Sequence, residues 1–301
     1  MRRAPLVLVA LLAPASVLLP AQQTFRTGTD LVHLPVIVTG RRAELVRGLT
    51  AEDFEVREDG QPQTIQFFAE GAPGDVLPLH LGLLLDTSES MTRDLNDAAS
   101  AAVQFVDALE EPIDVTLVDF DTNVRLARFA PPSYPHLFER IRARKASGMT
   151  ALYDALAIYL EGAANRDGQH VLVMYTDGGD STSTMTPGKL SELLRRCANV
   201  QVYAIGYLEN QLSSARVMQQ MRISQMARDT GGDAYFPGEA RQIHEIYAKI
   251  LDELLSRYTI GYVSSNVRAD GKFRKLQVRV TRPDVKDAHV RTRPGYFAPS
   301  K

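Results

Sequence analysis

The sequence has 301 residues, 45% of them hydrophobic and 23% charged, a balance typical of a folded globular protein that has one sizeable core and a smaller module. A formal net charge of -2 supplies no field for unspecific nucleic-acid binding, so nucleic acid is a poor candidate partner. The single cysteine, Cys197, excludes an intrachain disulfide and a cysteine-based zinc site.

The first 21 residues have the pattern of a secretory signal peptide. Arg2 and Arg3 precede an apolar run from Leu6 to Leu19, which Pro14 interrupts and which ends near Ala21. The run is too short for a bilayer-spanning helix, which needs about 20 apolar residues. We therefore predict an exported protein, periplasmic or secreted, with no stable membrane span after cleavage; the alternative is an uncleaved N-terminal anchor.

Two segments at either end of the chain are predicted to be β. In residues 25–76, apolar residues alternate from Val32 to Val38, and Asp59-Gly60 marks a turn. In residues 258–301, the alternation returns from Leu276 to Val280. Alternation at period two is typical of half-buried strands. Our hypothesis is that the two segments pair into a small β module, into which the central region is inserted.

Between them, in residues 77–257, buried strands alternate with amphipathic helices. Leu79–Leu85 is continuously apolar, as a strand covered on both faces requires, and a helical stripe runs from Leu95 to Leu109. The same alternation continues with strands at Val115–Phe120, Val171–Thr176, Val200–Gly206 and Ala234–Phe236, and with helical stripes at Leu152–Leu160, Leu190–Cys197 and Ile243–Leu254. This order predicts an α/β fold, with a doubly wound, mainly parallel open sheet.

In such sheets, ligands bind beyond the carboxyl ends of the strands. The first central strand ends in a DxSxS motif, Asp86, Ser88 and Ser90, and two other strand-to-helix loops offer Thr150 and Asp177. Carboxylate and hydroxyl oxygens are ligands that Mg²⁺ prefers. Each residue alone also has an ordinary explanation as a helix cap or turn residue, but their coincidence at one edge favours a metal site.

These residues resemble the metal-ion-dependent adhesion site of von Willebrand factor type A (VWA) domains, in which DxSxS is followed by a threonine and by an aspartate in a TDG-like loop. The resemblance covers about residues 77–255, and the flanks around residues 48–60 are similar to bacterial VWA-related proteins typified by acidobacterial members. It implies a Rossmann-like VWA fold that binds Mg²⁺, with Mn²⁺ or Ca²⁺ as alternatives. It further implies direct ligation by Ser88 and Ser90, ligation by Thr150 directly or through water, and contacts of Asp86 and Asp177 mostly through water.

The function that the resemblance implies is protein binding, in adhesion or complex assembly, with a Glu or Asp of the partner completing the metal's ligands. Glu89 departs from the small residue common at this position: its side chain either points away from the site or adds a negative charge that weakens the binding of an acidic partner. The alternatives are a metal-dependent hydrolase that uses the same loops and a scaffold that binds through its β flanks. We expect no enzyme, because no histidine is placed at this edge and GxSxG is absent.

Three further carboxylates at the same edge have two interpretations. Asp119 and Asp121 flank Phe120 at the end of the second central strand, and Asp180 lies two residues past Gly178. They are a candidate second cation site or, more simply, solvated loop carboxylates.

Overall fold

Two β-rich flanks surround a central region in which strands and helices alternate. The computed structural model describes residues 31–71, 77–109, 112–209, 211–239, 241–285 and 287–300. The predicted signal peptide lies outside these residues. The N-terminal flank contains β1 (Leu31–Thr39), β2 (Phe54–Glu58), β3 (Gln61–Gln63) and β4 (Ile65–Glu70).

The central region begins with β5 (Leu79–Asp86), α1 (Leu95–Ala108), β6 (Asp114–Phe120), β7 (Val124–Phe129), α2 (Tyr134–Arg142), α3 (Leu152–Ala164) and β8 (Gln169–Thr176). It continues with α4 (Pro187–Arg196), β9 (Val200–Gly206), α5 (Ser213–Asp229), β10 (Ala234–Tyr235) and α6 (Gln242–Leu255). The C-terminal flank contains β11 (Tyr258–Val263), β12 (Phe273–Val280), β13 (His289–Arg291) and β14 (Gly295–Phe297).

The central sheet has six strands in the order β10-β9-β8-β5-β6-β7. All its pairings are parallel except that of β6 with β7. Every residue of β5 and of β8 is buried, because helices cover both faces of the sheet. The predicted α/β fold class, with its doubly wound and mainly parallel sheet, is therefore confirmed.

Helices α1, α2 and α6 supply the apolar core on one face, and α3, α4 and α5 supply it on the other. The packing of α3 on β5 depends on Gly82. A Cβ atom at this position would lie 2.4 Å from Cε2 of Tyr159, so only glycine leaves space for the tyrosine ring against the strand.

Strands of the two flanks pair with one another in two further sheets. β1 lies between β11 and β13 in the order β13-β1-β11-β4, and β2 pairs with β12 in the order β14-β12-β2-β3. A buried carboxylate, Glu58, joins the sheets by accepting hydrogen bonds from the hydroxyls of Tyr262 and Tyr296, each at 2.8 Å, and of Ser264 at 2.6 Å. The smaller β module of the predicted fold is thus made by both flanks.

Three elements had no counterpart in the sequence prediction: β7, α2 and α5. β7 is a short antiparallel strand at the edge of the sheet, and α2 has only nine residues. α5 is a long helix of 17 residues, but apolar side chains occur on both its buried and its solvent faces. A helix whose apolar side chains are spread over both faces has no amphipathic periodicity by which to recognise it.

Candidate metal centre

The buried carboxylate of Asp86 stands at the carboxyl end of β5. Its side chain is 0% exposed. Oδ1 accepts hydrogen bonds from the backbone N–H of Ser88 at 3.0 Å and from its hydroxyl at 2.6 Å. Oδ2 accepts one from the hydroxyl of Thr176 at 2.6 Å. The DxSxS turn therefore folds back on its own aspartate and fixes the position of the Ser88 hydroxyl.

Burial raises the pKa of Asp86 to about 6, against the lowering effect of the hydrogen bonds from Ser88 and Thr176. The negative charge of Asp177 contributes to this raised pKa. Desolvation and a like charge both disfavour the carboxylate form. A cation beside the two carboxyl groups would offset these effects, because its charge inverts the local balance.

The two serine hydroxyls of the motif lie close enough to share one small cation. Oγ of Ser88 and Oγ of Ser90 are 3.2 Å apart. Neighbouring ligands of an octahedral Mg²⁺ ion, at metal–oxygen distances of about 2.0–2.1 Å, lie about 2.9 Å from one another. Ser88 is buried whereas Ser90 is exposed, so one hydroxyl lies in the interior and the other at the surface.

Backbone hydrogen bonds join the three loops of the predicted site. The loop of Ser88 meets the loop of Thr150 through Glu89 N–H to the carbonyl of Gly148, at 3.1 Å. The loop of Thr150 meets that of Asp177 through Ser181, whose N–H donates to the carbonyl of Thr150 at 2.8 Å. All five predicted ligands, Asp86, Ser88, Ser90, Thr150 and Asp177, are therefore brought to one edge of the sheet. Their role as ligands stays a prediction.

The side chain of Asp177 is fixed by a residue that sequence reasoning missed. Its Oδ1 accepts a hydrogen bond from the N–H of Gly179 at 2.9 Å, and its Oδ2 accepts one from Nε2 of Gln211 at 2.8 Å. Gly178 has a φ of +76°, and a Cβ there would lie 2.8 Å from Cδ1 of Ile223 in α5. The loop is therefore packed directly against α5.

Asp119 is not a solvated carboxylate, contrary to that interpretation of the sequence. It is fully buried and pairs with Arg125, Arg140 and Arg144 at 2.5, 2.9 and 2.9 Å. Asp121 pairs with Arg125 at 2.9 Å. Three guanidinium groups thus face two carboxylates, which leaves one positive charge beside the site. Sequence reasoning missed the arginines because two of them come from α2 and the residues after it.

The donor set consists mainly of neutral oxygens. The described part of the chain holds no group of three or more His, Cys, Asp or Glu side chains arranged to bind a metal ion. A metal at this edge would therefore depend on the hydroxyls of Ser88, Ser90 and Thr150, with Asp86 and Asp177 behind them. Such oxygens fit a hard divalent cation such as Mg²⁺ and do not fit a soft metal that prefers thiolate.

Comparisons with known proteins agree with this fold. A solved von Willebrand factor type A protein from Catenulispora acidiphila shares 13% identity at a TM-score of 0.50, covering 92% of this chain and 76% of its own. The pilus adhesin SpaC from Lactobacillus rhamnosus GG shares 9% identity at a TM-score of 0.51, covering 84% of this chain and 49% of its own. At these identities the likeness shows the fold alone.

A third similar structure is an aerotolerance-related membrane protein from Bacteroides fragilis, with 14% identity and a TM-score of 0.48, covering 58% of this chain and 98% of its own. No curated protein matches the sequence. The family model of the von Willebrand factor type A domain matches residues 80–249, which is more than half of the chain. The protein belongs to the von Willebrand factor type A domain family.

Proposed function

We propose that this protein holds a partner protein through a divalent cation bound by Asp86, Ser88, Ser90, Thr150 and Asp177. The observation that carries the proposal is the pair of serine hydroxyls 3.2 Å apart, fixed by the buried carboxylate of Asp86. The proposed cation is Mg²⁺, with Mn²⁺ or Ca²⁺ as alternatives that use the same oxygen ligands.

The proposed partner offers a Glu or Asp carboxylate. Neutral hydroxyls leave much of the cation's charge uncompensated, so an incoming carboxylate gains strongly at the exposed side of the site, next to Ser90. The excess positive charge of the arginine group around Asp119 acts in the same direction. The exposed Glu89 opposes it, and its charge is screened by water and salt. The occurrence of this fold in a pilus adhesin supports a role in protein binding.

We propose a binding module and not a hydrolase. Metal-dependent hydrolysis requires a general base near the bound water. The buried histidines of the central sheet, His80 and His170, pair across the amino-terminal ends of β5 and β8, at the opposite end of the strands from Asp86. They are too far along the strands to act as that base.

The proposed location is outside the cytoplasm, periplasmic or secreted. It rests on the signal-peptide pattern of residues 1–21, which lie outside the described residues. Among the residues that are described, no helix is long and apolar enough to cross a membrane.

Calorimetric titration of the metal-stripped protein with Mg²⁺ and with Mn²⁺ tests the proposal. We expect saturable binding by the parent protein, lost in Asp86→Ala and in a Ser88→Ala, Ser90→Ala double variant. Ser100→Ala, which removes an exposed hydroxyl from α1, is the matched control and should bind as the parent does. Absence of binding at millimolar metal, or unchanged binding by the variants, would contradict the proposal.

A further inference from the structure

Exposed apolar side chains are concentrated at the beginning of α5. Eleven large apolar side chains are exposed among the described residues, and four of them are Leu212, Val217, Met218 and Met221, with exposed fractions of 81%, 58%, 53% and 65%. Single exposed apolar residues are normal on a protein surface, whereas a cluster marks an interaction site. These four residues are called the α5 patch below.

The α5 patch includes the solvent face of a helix whose opposite face is already buried. Ile223 and Met226 belong to the core that packs on the sheet, and Ala227 is fully buried. Met221 follows Met218 by three residues and Val217 by four, so the three side chains are neighbours on the other face of the helix. These three side chains therefore lie outside the core and remain exposed to solvent.

The α5 patch is joined to the proposed metal centre. Gln211, the residue before Leu212, donates the hydrogen bond to Oδ2 of Asp177 at 2.8 Å. A Cβ on Gly178 would lie 3.2 Å from Cβ of Gln219, so the metal loop and the helix are in contact. A third exposed methionine, Met149, directly precedes Thr150 and is 54% exposed. Apolar surface thus adjoins two of the three metal loops.

The charges of α5 are mainly positive. The helix carries Arg216, Arg222 and Arg228, and its one acidic residue, Asp229, is buried at the far end. Glu209 pairs with Arg216 at 3.3 Å, which leaves the other two arginines in excess. The beginning of the helix also carries the positive end of its dipole. This surface therefore complements a segment that is both acidic and apolar.

We propose that the α5 patch is the second half of the docking surface, and that the partner is a protein segment with large apolar side chains next to its acidic residue. The inference rests on the proposed function, because the acidic residue is the one held by the metal. The apolar neighbours of that residue cover the α5 patch. Met218 and Met221 suit this role, since unbranched methionine side chains adapt to different apolar partners.

A random dodecapeptide library displayed on phage, selected on the purified protein in Mg²⁺, tests the inference. We expect selected peptides to contain an acidic residue together with at least two large apolar residues. Their recovery should fall at least tenfold in EDTA, and at least tenfold on a Met218→Ser, Met221→Ser double variant. Val267→Ser, which changes a side chain 92% exposed in the C-terminal flank, is the matched control and should leave recovery unchanged.

The outcomes separate this inference from the proposed function. Two outcomes would overturn the docking role of the α5 patch and leave the metal-dependent function standing. One is the selection of metal-dependent acidic peptides that lack apolar residues, and the other is peptide recovery that the double methionine variant does not change. Peptides that bind equally in EDTA would overturn the link between the α5 patch and the metal. Light scattering adds one further outcome: a parent dimer that the double variant abolishes would make a second copy of the chain the occupant, and would overturn the proposal.

Discussion

His170 is a buried imidazole at the amino-terminal end of β8. Its ring stacks on that of His80 with centroids 4.6 Å apart, and its Nε2 has no hydrogen-bond partner among the described residues. Burial is the main cause that lowers the pKa of His170 to about 4, and the nearby His80 and Arg166 contribute to this lowering. The titratable and charged groups around it are His80, Asp114, Arg128, Tyr159 and Arg166. The folded protein therefore holds this histidine neutral at pH 7.

The stability of the protein should consequently fall in mild acid. An unfolded histidine has a pKa near 6.5, so between pH 6.5 and 4 the unfolded chain binds more protons at this position than the folded chain. The contribution of His170 to the free energy of unfolding is on the order of 3 kcal/mol. It is complete above pH 6.5 and is lost as the pH falls towards 4. Urea unfolding at pH 7.0 and pH 4.5, in EDTA, measures it.

Between these two pH values, the free energy of unfolding of His170→Gln should fall less than that of the parent protein. Carboxylates that titrate in the same range, among them Asp86, are common to both proteins, so the difference isolates His170. His136→Gln changes an exposed histidine and should behave as the parent. Equal losses in His170→Gln and the parent would show that this imidazole is not held neutral.

The residues of the proposed metal centre differ in how far the sequence could predict their arrangement. Asp86, Ser88 and Ser90 share one motif, and the carboxyl ends of parallel strands meet at one edge of a sheet, so their convergence with Thr150 and Asp177 follows from the order of elements. Gln211 belongs to no motif and reaches Asp177 across 34 positions of the chain. Its contact depends on the packing of α5, which no local pattern encodes.

At the scale of elements, the same contrast appears between β5 and α5. The run Leu79–Leu85 is mainly apolar, which is typical of a strand covered on both faces, and it is recognised as one from the sequence; every residue of β5 is buried. α5 was missed because Val217, Met218 and Met221 occupy its solvent face. Helices are recognised by apolar residues that recur on one face, and exposed apolar residues of a contact surface obscure this periodicity. Such departures from the sequence pattern are expected at functional sites.

The packing of α3 on β5 gives a prediction for the interior. Gly82→Ala would bring a Cβ atom 2.4 Å from Cε2 of Tyr159, and overpacking of this kind costs about 1–3 kcal/mol. We expect a loss of about 2 kcal/mol in the free energy of unfolding, measured in urea. Tyr159→Leu removes the ring and leaves a cavity, so it is destabilising alone.

The double variant, Gly82→Ala with Tyr159→Leu, should then be more stable than the sum of the two single effects. A favourable coupling of about 1 kcal/mol in the double-mutant cycle would locate the cost of the added methyl group at the tyrosine ring. Additive effects would show that the strain lies elsewhere in the strand.

At the scale of the whole molecule, charged side chains of the C-terminal flank hold the central region. Arg293 is 2% exposed, and its guanidinium donates to the carbonyls of Arg195 at 3.1 Å and Cys197 at 3.4 Å, at the end of α4. The last turn of a helix leaves carbonyls without partners within the helix. Arg291 forms an ion pair with the buried carboxylate of Glu253 in α6. The flank therefore satisfies polar groups that the central region cannot satisfy alone.

This arrangement predicts that the flanks and the central region unfold together. Arg293→Met retains the length of the side chain but leaves buried carbonyls without donors, and we expect a loss of about 3 kcal/mol in the free energy of unfolding. Circular dichroism and the extent of reaction of Cys197 with a fluorescent thiol reagent should report one transition at a lower urea midpoint. Cys197 is buried beside Arg293 and reacts only on unfolding. Arg268→Met removes an exposed arginine of the same flank and should leave the midpoint unchanged. Two separate transitions, or a midpoint unaffected by Arg293→Met, would mean that the central region is stable without its flanks.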